Sequence, residues 1–203
     1  DEFSGEFAGI FQTLPTQKQK YSAFVPISTG CDHFCTYCIV PHTRGREECR
    51  PQEEILEECH QLVAAGAKEI TLLGQNVNRY YRGIRGKNPH QTDFAQLLEE
   101  VAQIPGLIWL RFLSPHPQHL GDDVLEVMAQ NSNICDHLHL PIQSGDDKIL
   151  RKMARGYTAK QFQEITKKAR KMMPDIAITT DVIVGFCGET KEQFENSKQI
   201  CDE

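Results

Sequence analysis

The chain has 203 residues, about the length of one domain, and its 39% hydrophobic content suffices for a core and excludes intrinsic disorder. Lys and Arg number 22 against 28 Asp and Glu, and the formal charge of −6 excludes a protein that holds nucleic acid by bulk electrostatics alone, leaving room for a local basic patch. No apolar run approaches the ~18 residues of a membrane span, and the opening DEFSGEF is acidic where a secretory signal is basic, so the sequence reads as soluble and cytoplasmic.

Residues 1–21 contain Gly, Pro and Gln without sustained periodicity and read as a linker or the end of an upstream domain. From residue 22 to 203 short apolar runs alternate with amphipathic segments. Strands are predicted at 23–28, 69–74, 107–113, 137–142 and 177–185, and helices near 51–66, 93–104, 121–131, 145–154, 158–173 and from about 190 onward. Pro51 with Glu53 and Glu54, and Thr158, mark helix starts. Strands alternating with helices in this way imply parallel pairing through right-handed crossovers, an α/β sheet or barrel. Reactive groups in such folds collect at the carboxyl ends of the strands. Those ends carry Cys31 to Cys38, Gly74-Gln75-Asn76, Ser114-Pro115-His116-Pro117, Gln143-Ser144-Gly145 and Gly185-Phe186.

Three of the eight cysteines, Cys31, Cys35 and Cys38, fall in the string GCDHFCTYC. Without a signal peptide, reduced thiols are the default, and soft sulfur ligands on one short loop favour zinc or an iron-sulfur cluster. Structural zinc usually takes two pairs of ligands, and no second CxxC knuckle follows. CxxxCxxC with three thiolates suits a 4Fe-4S cluster whose fourth iron is open. The alternative is a closed, non-catalytic metal module with Cys49 as fourth ligand. Cys59 and Cys201 read as core positions on helical faces, and Trp109 reads as core with Leu107 and Leu110. His60, His90 and His119 read as surface, His33 lies inside the cysteine loop, and His137 and His139 alternate along a strand as barrel-interior or cofactor-contact positions. Residues 148–171 hold nine Lys or Arg and one Glu, either a phosphate-binding patch or a solvated helix face. Arg44 and Arg46 are candidates to position the cysteine loop or contact RNA, with a salt-bridged surface through Glu47 and Glu48 as the alternative.

CxxxCxxC after the first strand of an α/β barrel, with Tyr37 just before the last cysteine, resembles the radical S-adenosylmethionine (SAM) superfamily. The strings TRGRE, LLGQNVNRY, HLPIQSG, RGYT and DVIVGF.GET, across residues 22–203, resemble the methylthiotransferases, and GQNVN is similar to the MiaB-type tRNA enzymes. The sibling RimO type, which modifies a ribosomal protein, is the alternative within the family.

The resemblance implies a partial (β/α) barrel with five of six strands in this chain. It also implies a 4Fe-4S cluster on Cys31, Cys35 and Cys38, whose open iron chelates the amino and carboxylate groups of SAM. Cleavage of the cofactor then yields methionine and a 5′-deoxyadenosyl radical that acts on an isopentenylated adenosine beside the anticodon. By the same resemblance Gly74, Gln75 and Asn76 receive the methionine end, Gln143 and Ser144 lie near the ribose, and Val182, Ile183, Val184, Gly185 and Tyr37 lie beside the adenine. The implied partners are the anticodon loop of tRNA and a one-electron reductant such as flavodoxin or ferredoxin, with no membrane. Family members also carry an N-terminal domain with a second 4Fe-4S cluster and a C-terminal TRAM module. Neither is found in this sequence, which therefore reads as a core fragment not competent for the full reaction. Cys187 and Pro115 depart from the usual proline and serine of the family, and Cys49 replaces a usual serine.

Overall fold

The computed structural model describes residues 21–81 and 93–202, so the predicted linker up to residue 20 and His90 lie outside the described residues. Strand β1 (Ser22–Pro26) buries Ala23 and Val25 and exposes Phe24 between them, the period-two pattern of a sheet covered on one face. It pairs in parallel with β4 (Glu69–Leu73), which pairs in parallel with β5 (Trp109–Phe112). Ile134 bridges in parallel to Leu110, carrying the order on toward β6 (His137–His139), and β6 pairs in parallel with β7 (Ala177–Thr179). All five long-range strands thus run parallel in chain order, as the alternating pattern predicts. Among the described residues the ladder is continuous within β1–β4–β5 and within β6–β7, with only the Leu110–Ile134 bridge between them, and no pairing joins β7 back to β1, so the sheet stays open.

Helices α2 (Gln52–Ala64), α3 (Phe94–Ala102), α4 (Asp122–Gln130) and α6 (Ala159–Met172) pack side by side in that order. Ile55, Leu97, Leu98, Leu125 and Phe162 join Val25, Ile70, Leu72 and Leu110 in one core. Reciprocal capping boxes start two of these helices, Asp93 with Gln96 at α3 and Thr158 with Gln161 at α6. Short α5 (Asp147–Lys152) is capped by Asp146, and α7 (Lys191–Asp202) closes the described chain. No helix among the described residues is long and apolar enough to cross a membrane.

Two expectations from the apolar pattern are corrected. Leu107 and Leu110 are core, but Trp109 is 53% exposed because it faces away from the helices, on the same open side of the sheet as Phe24. Cys201 is also exposed: Ile200, one position earlier on α7, packs against the core in its place. Cys59 is fully buried as expected. One feature has no counterpart in the predicted elements. Two-residue strands β2 (Ser28–Thr29) and β3 (Glu48–Cys49) pair antiparallel and tie off the base of the cysteine loop, which carries a single turn of helix, α1 (Val40–Thr43).

Candidate cluster and cofactor site

The cysteine loop is held from both ends. The Cys31 N–H donates to the Gly45 carbonyl at 3.2 Å, and the Cys38 N–H donates to Cys35 O at 2.9 Å. Gly30 lies at φ +70°, and a Cβ there would sit 1.9 Å from the Arg46 carbonyl, so no other residue fits the crossing of the two loop arms. An ion-pair network fixes the outer arm: Arg46 meets Asp32 at 2.9 Å, and Arg79 reaches Glu47 at 2.8 Å and Asp32 at 3.8 Å. Burial pushes the Glu47 carboxyl up to about 7, against the pull of Arg79. Arg46, although its side chain is 74% exposed, and buried Glu47 thus each join an ion pair at the loop, whereas Arg44 forms no ion pair among the described residues.

Cys31 and Cys35 are buried and Cys38 is half-buried. Burial raises the pKa of the Cys31 thiol, with the His33 N–H donating to its sulfur at 3.4 Å in opposition. Three thiols on one short loop, two of them buried, are a donor set for a soft-metal or iron-sulfur centre. Cys49 sits opposite Ser28 in the β2–β3 pair, packs against the core, and its sulfur accepts the Tyr81 N–H at 3.4 Å.

The strand ends come together beside this loop. Beyond β4, Asn76 is 2% exposed, and neither its side-chain Oδ1 nor Nδ2 has a partner. An amide buried with both ends unsatisfied costs about 1–3 kcal/mol unless a water or a polar ligand meets it. Gly74 is needed for that approach, since a Cβ would lie 2.7 Å from Ser28 Oγ and 3.2 Å from Val77 Cα. Gln75 is half-buried between them. The ends of β4 and β5 are locked by Asn78, whose side chain exchanges hydrogen bonds with the backbone of His116 at 2.8 and 3.0 Å.

Beyond β6, Gln143 stands at φ +69°, a strained setting for a residue with a side chain. It is bridged to Val182, with its N–H on Asp181 O and its carbonyl accepting the Ile183 N–H, both at 2.9 Å. Ser144 is fully buried, and its hydroxyl contacts Ser197 Oγ at 3.3 Å and accepts the Asp146 N–H at 3.2 Å. Val184 is 63% exposed, Tyr37 is exposed, and Gly185, at φ +75°, donates its N–H to Glu189. The backbone of 182–185 and the Gln143 turn thus form one joined rim, and Ser144 anchors that rim to α7.

A cluster of imidazoles was not legible in the sequence. His33, His116 and His119 each bring one ring nitrogen within 4.8 Å of the others, and His33 Nε2 lies 2.7 Å from His119 Nε2. His119, expected at the surface, is therefore a partner of the cysteine loop. The rings of His33 and His116 stack at 4.4 Å with an interplanar angle of 17°. His116 Nδ1 accepts the Gln118 N–H, which leaves the proton on Nε2, a nitrogen without a partner. Stacked rings with a protonated Nε2 are packing, not a preformed metal site. Burial lowers the pKa of His33 to about 4 and that of His116 to about 2, keeping both neutral.

His137 and His139 lie half-buried on the open face of the sheet, where each contacts Thr179 Oγ1, and His139 meets Asp181 at 3.3 Å. Three of the nine basic residues of the stretch 148–171 are buried or ion-paired within the fold. Arg155 is buried, Lys168 pairs with Asp122 at 2.6 Å, and Lys160 lies 3.9 Å from Glu164.

The chain thus sets a three-cysteine loop after the first strand of an open parallel sheet, and residues 25–200 match the model of the Radical SAM superfamily. The chain belongs to that superfamily. It is 49% identical over 192 residues to the tRNA-2-methylthio-N(6)-dimethylallyladenosine synthase of Carboxydothermus hydrogenoformans, covering 94% of this chain and 43% of that one. It is 45% identical over 196 residues to the synthase of the same name from Clostridium perfringens, covering 96% and 43%. The chain therefore spans less than half the length of these curated relatives. In fold it is similar to the radical SAM methyltransferase TsrM from Kitasatospora setae, with a TM-score of 0.70 at 16% identity over 90% of this chain and 34% of that chain. It is also similar to methylornithine synthase (PylB), with a TM-score of 0.57 at 19% identity over 88% and 49%.

Proposed function

We propose that this chain is the radical SAM core of a tRNA methylthiotransferase acting on an isopentenylated adenosine beside the anticodon. Cys31, Cys35 and Cys38 would hold a 4Fe-4S cluster with one iron left open to SAM, and that cluster would supply the electron that opens a carbon-sulfur bond of SAM. The observation that carries the reading is the pairing of a three-thiol loop with the unsatisfied amide of Asn76 at the neighbouring strand end. Asn76, with Gly74 and Gln75, would receive the methionine end. The Gln143 turn, anchored by Ser144, would face the ribose, and the backbone of Val182, Ile183, Val184 and Gly185, with Tyr37, would flank the adenine. The names of the curated relatives support tRNA over a ribosomal protein as acceptor. Bases of an anticodon loop are unstacked and can enter a protein pocket. A flavodoxin- or ferredoxin-class donor would deliver the electron, and the setting would be the cytoplasm. A second cluster and an RNA-binding module would belong to the part of such a protein outside this chain.

Anaerobic reconstitution tests the reading. The wild-type protein should gain broad visible absorption that changes when SAM is added. Cys31→Ala, Cys35→Ala and Cys38→Ala should each lose most of the bound iron, while Cys49→Ala should retain it. Stoichiometric zinc lost on Cys49→Ala, with no response to SAM, would overturn the assignment in favour of a closed metal module.

A further inference from the structure

Arg155 stands between α5 and α6, in a turn where Ala154 (φ 57°) and Gly156 (φ 72°) are both left-handed. That turn folds the side chain inward, and the residue is 6% exposed. Every guanidinium nitrogen finds an acceptor: Nε donates to the Tyr157 hydroxyl at 3.1 Å, Nη2 to Pro141 O at 3.2 Å, and Nη1 to Cys35 Sγ at 3.5 Å. Its partners are two neutral oxygens and one thiol, and among the described residues no carboxylate forms an ion pair with it. A buried cation without a counter-charge is costly, by several kcal/mol per ion. The Tyr157 hydroxyl keeps its proton by donating it to Ile142 O at 2.6 Å, so the partner that most readily carries negative charge is the Cys35 sulfur.

We propose that Arg155 is a positioning residue that sets the reduction potential of the cluster through its hydrogen bond to Cys35. The inference rests on the proposed function, since it requires Cys35 to be a cluster ligand. When one electron from an external low-potential donor enters the cluster, no bond forms or breaks and no proton moves, so the site gains one negative charge. A fixed guanidinium on a ligand sulfur stabilises that added charge and raises the potential. The loop does not depend on Arg155 for its seat. Thr36 docks it on the end of α5, with its N–H on Met153 O at 3.2 Å and its hydroxyl on Lys152 O at 2.9 Å.

The test is an anaerobic redox titration of the reconstituted protein, followed by electron paramagnetic resonance without SAM. Arg155→Gln should make reduction about tenfold less favourable, a fall of about 59 mV for one electron, and Arg155→Lys should recover part of the loss. Full iron content with an unchanged midpoint in Arg155→Gln overturns the inference while leaving the cluster assignment intact. Absence of any cluster in the wild type overturns both. If Arg155→Gln fails to load iron, the wild type labelled with 15N-arginine decides: hyperfine coupling from a guanidinium nitrogen to the reduced cluster is expected, and its absence overturns the inference.

Discussion

Asn76 is the residue whose cost in the fold is easiest to separate from its use. Its amide is buried with neither end satisfied, so replacing it with alanine removes no hydrogen bond. Asn76→Ala should leave unfolding stability unchanged or raise it by about 1 kcal/mol, while weakening SAM binding to the reconstituted protein at least tenfold. Urea denaturation and calorimetric titration read the two effects. A loss of stability with unchanged SAM affinity would make Asn76 a structural residue. The cysteine trio was legible because its message is local, three thiols within eight positions. Arg155 lies 120 residues from Cys35, and His33 lies 86 from His119, so only the tertiary fold brings either pair together. RGYT was readable as a string and as positive charge, but nothing in it says that the arginine turns inward. Trp109 and Cys201 erred for a related reason. Apolar character tells which residues tolerate burial but not which face of a strand or helix the core will take.

The elements themselves followed their sequence signals closely. All five predicted strands and six predicted helices have counterparts among the described residues, because apolar runs of strand length and strong capping residues are local and mutually consistent. The β2–β3 pair was missed because two residues per strand carry no periodicity. It is nevertheless the strap that closes the cysteine loop, and Gly30 is where the strap crosses itself. Gly30→Ala combines a left-handed backbone with a Cβ placed 1.9 Å from a carbonyl oxygen and should cost about 3 kcal/mol or more. Gly45→Ala meets nothing within 4 Å and carries only the backbone penalty of about 1–2 kcal/mol. Denaturation midpoints should separate the two variants, and only Gly30→Ala should lose iron binding. Equal costs would mean that the loop adjusts freely at its base and that the strap is not what holds it.

At the scale of the whole molecule, five parallel strands gather the cysteine loop, Asn76, His116, Gln143 and Gly185 at one end of an open sheet, the end at which such folds place their chemistry. The helices bury the outer face, and the opposite face carries exposed Phe24 and Trp109 with half-buried His137 and His139. That division of labour places stability in the outer layer and leaves the strand ends open, where the proposed function puts cofactor and substrate. The account reduces to one claim, that three cysteines leave an iron to which SAM can bind. Electron-nuclear double resonance of the reduced, reconstituted protein with SAM labelled at its amino nitrogen and carboxylate oxygen measures this directly. Hyperfine couplings from both labels to the cluster are predicted; a fully formed cluster with no coupling from either label would contradict the account.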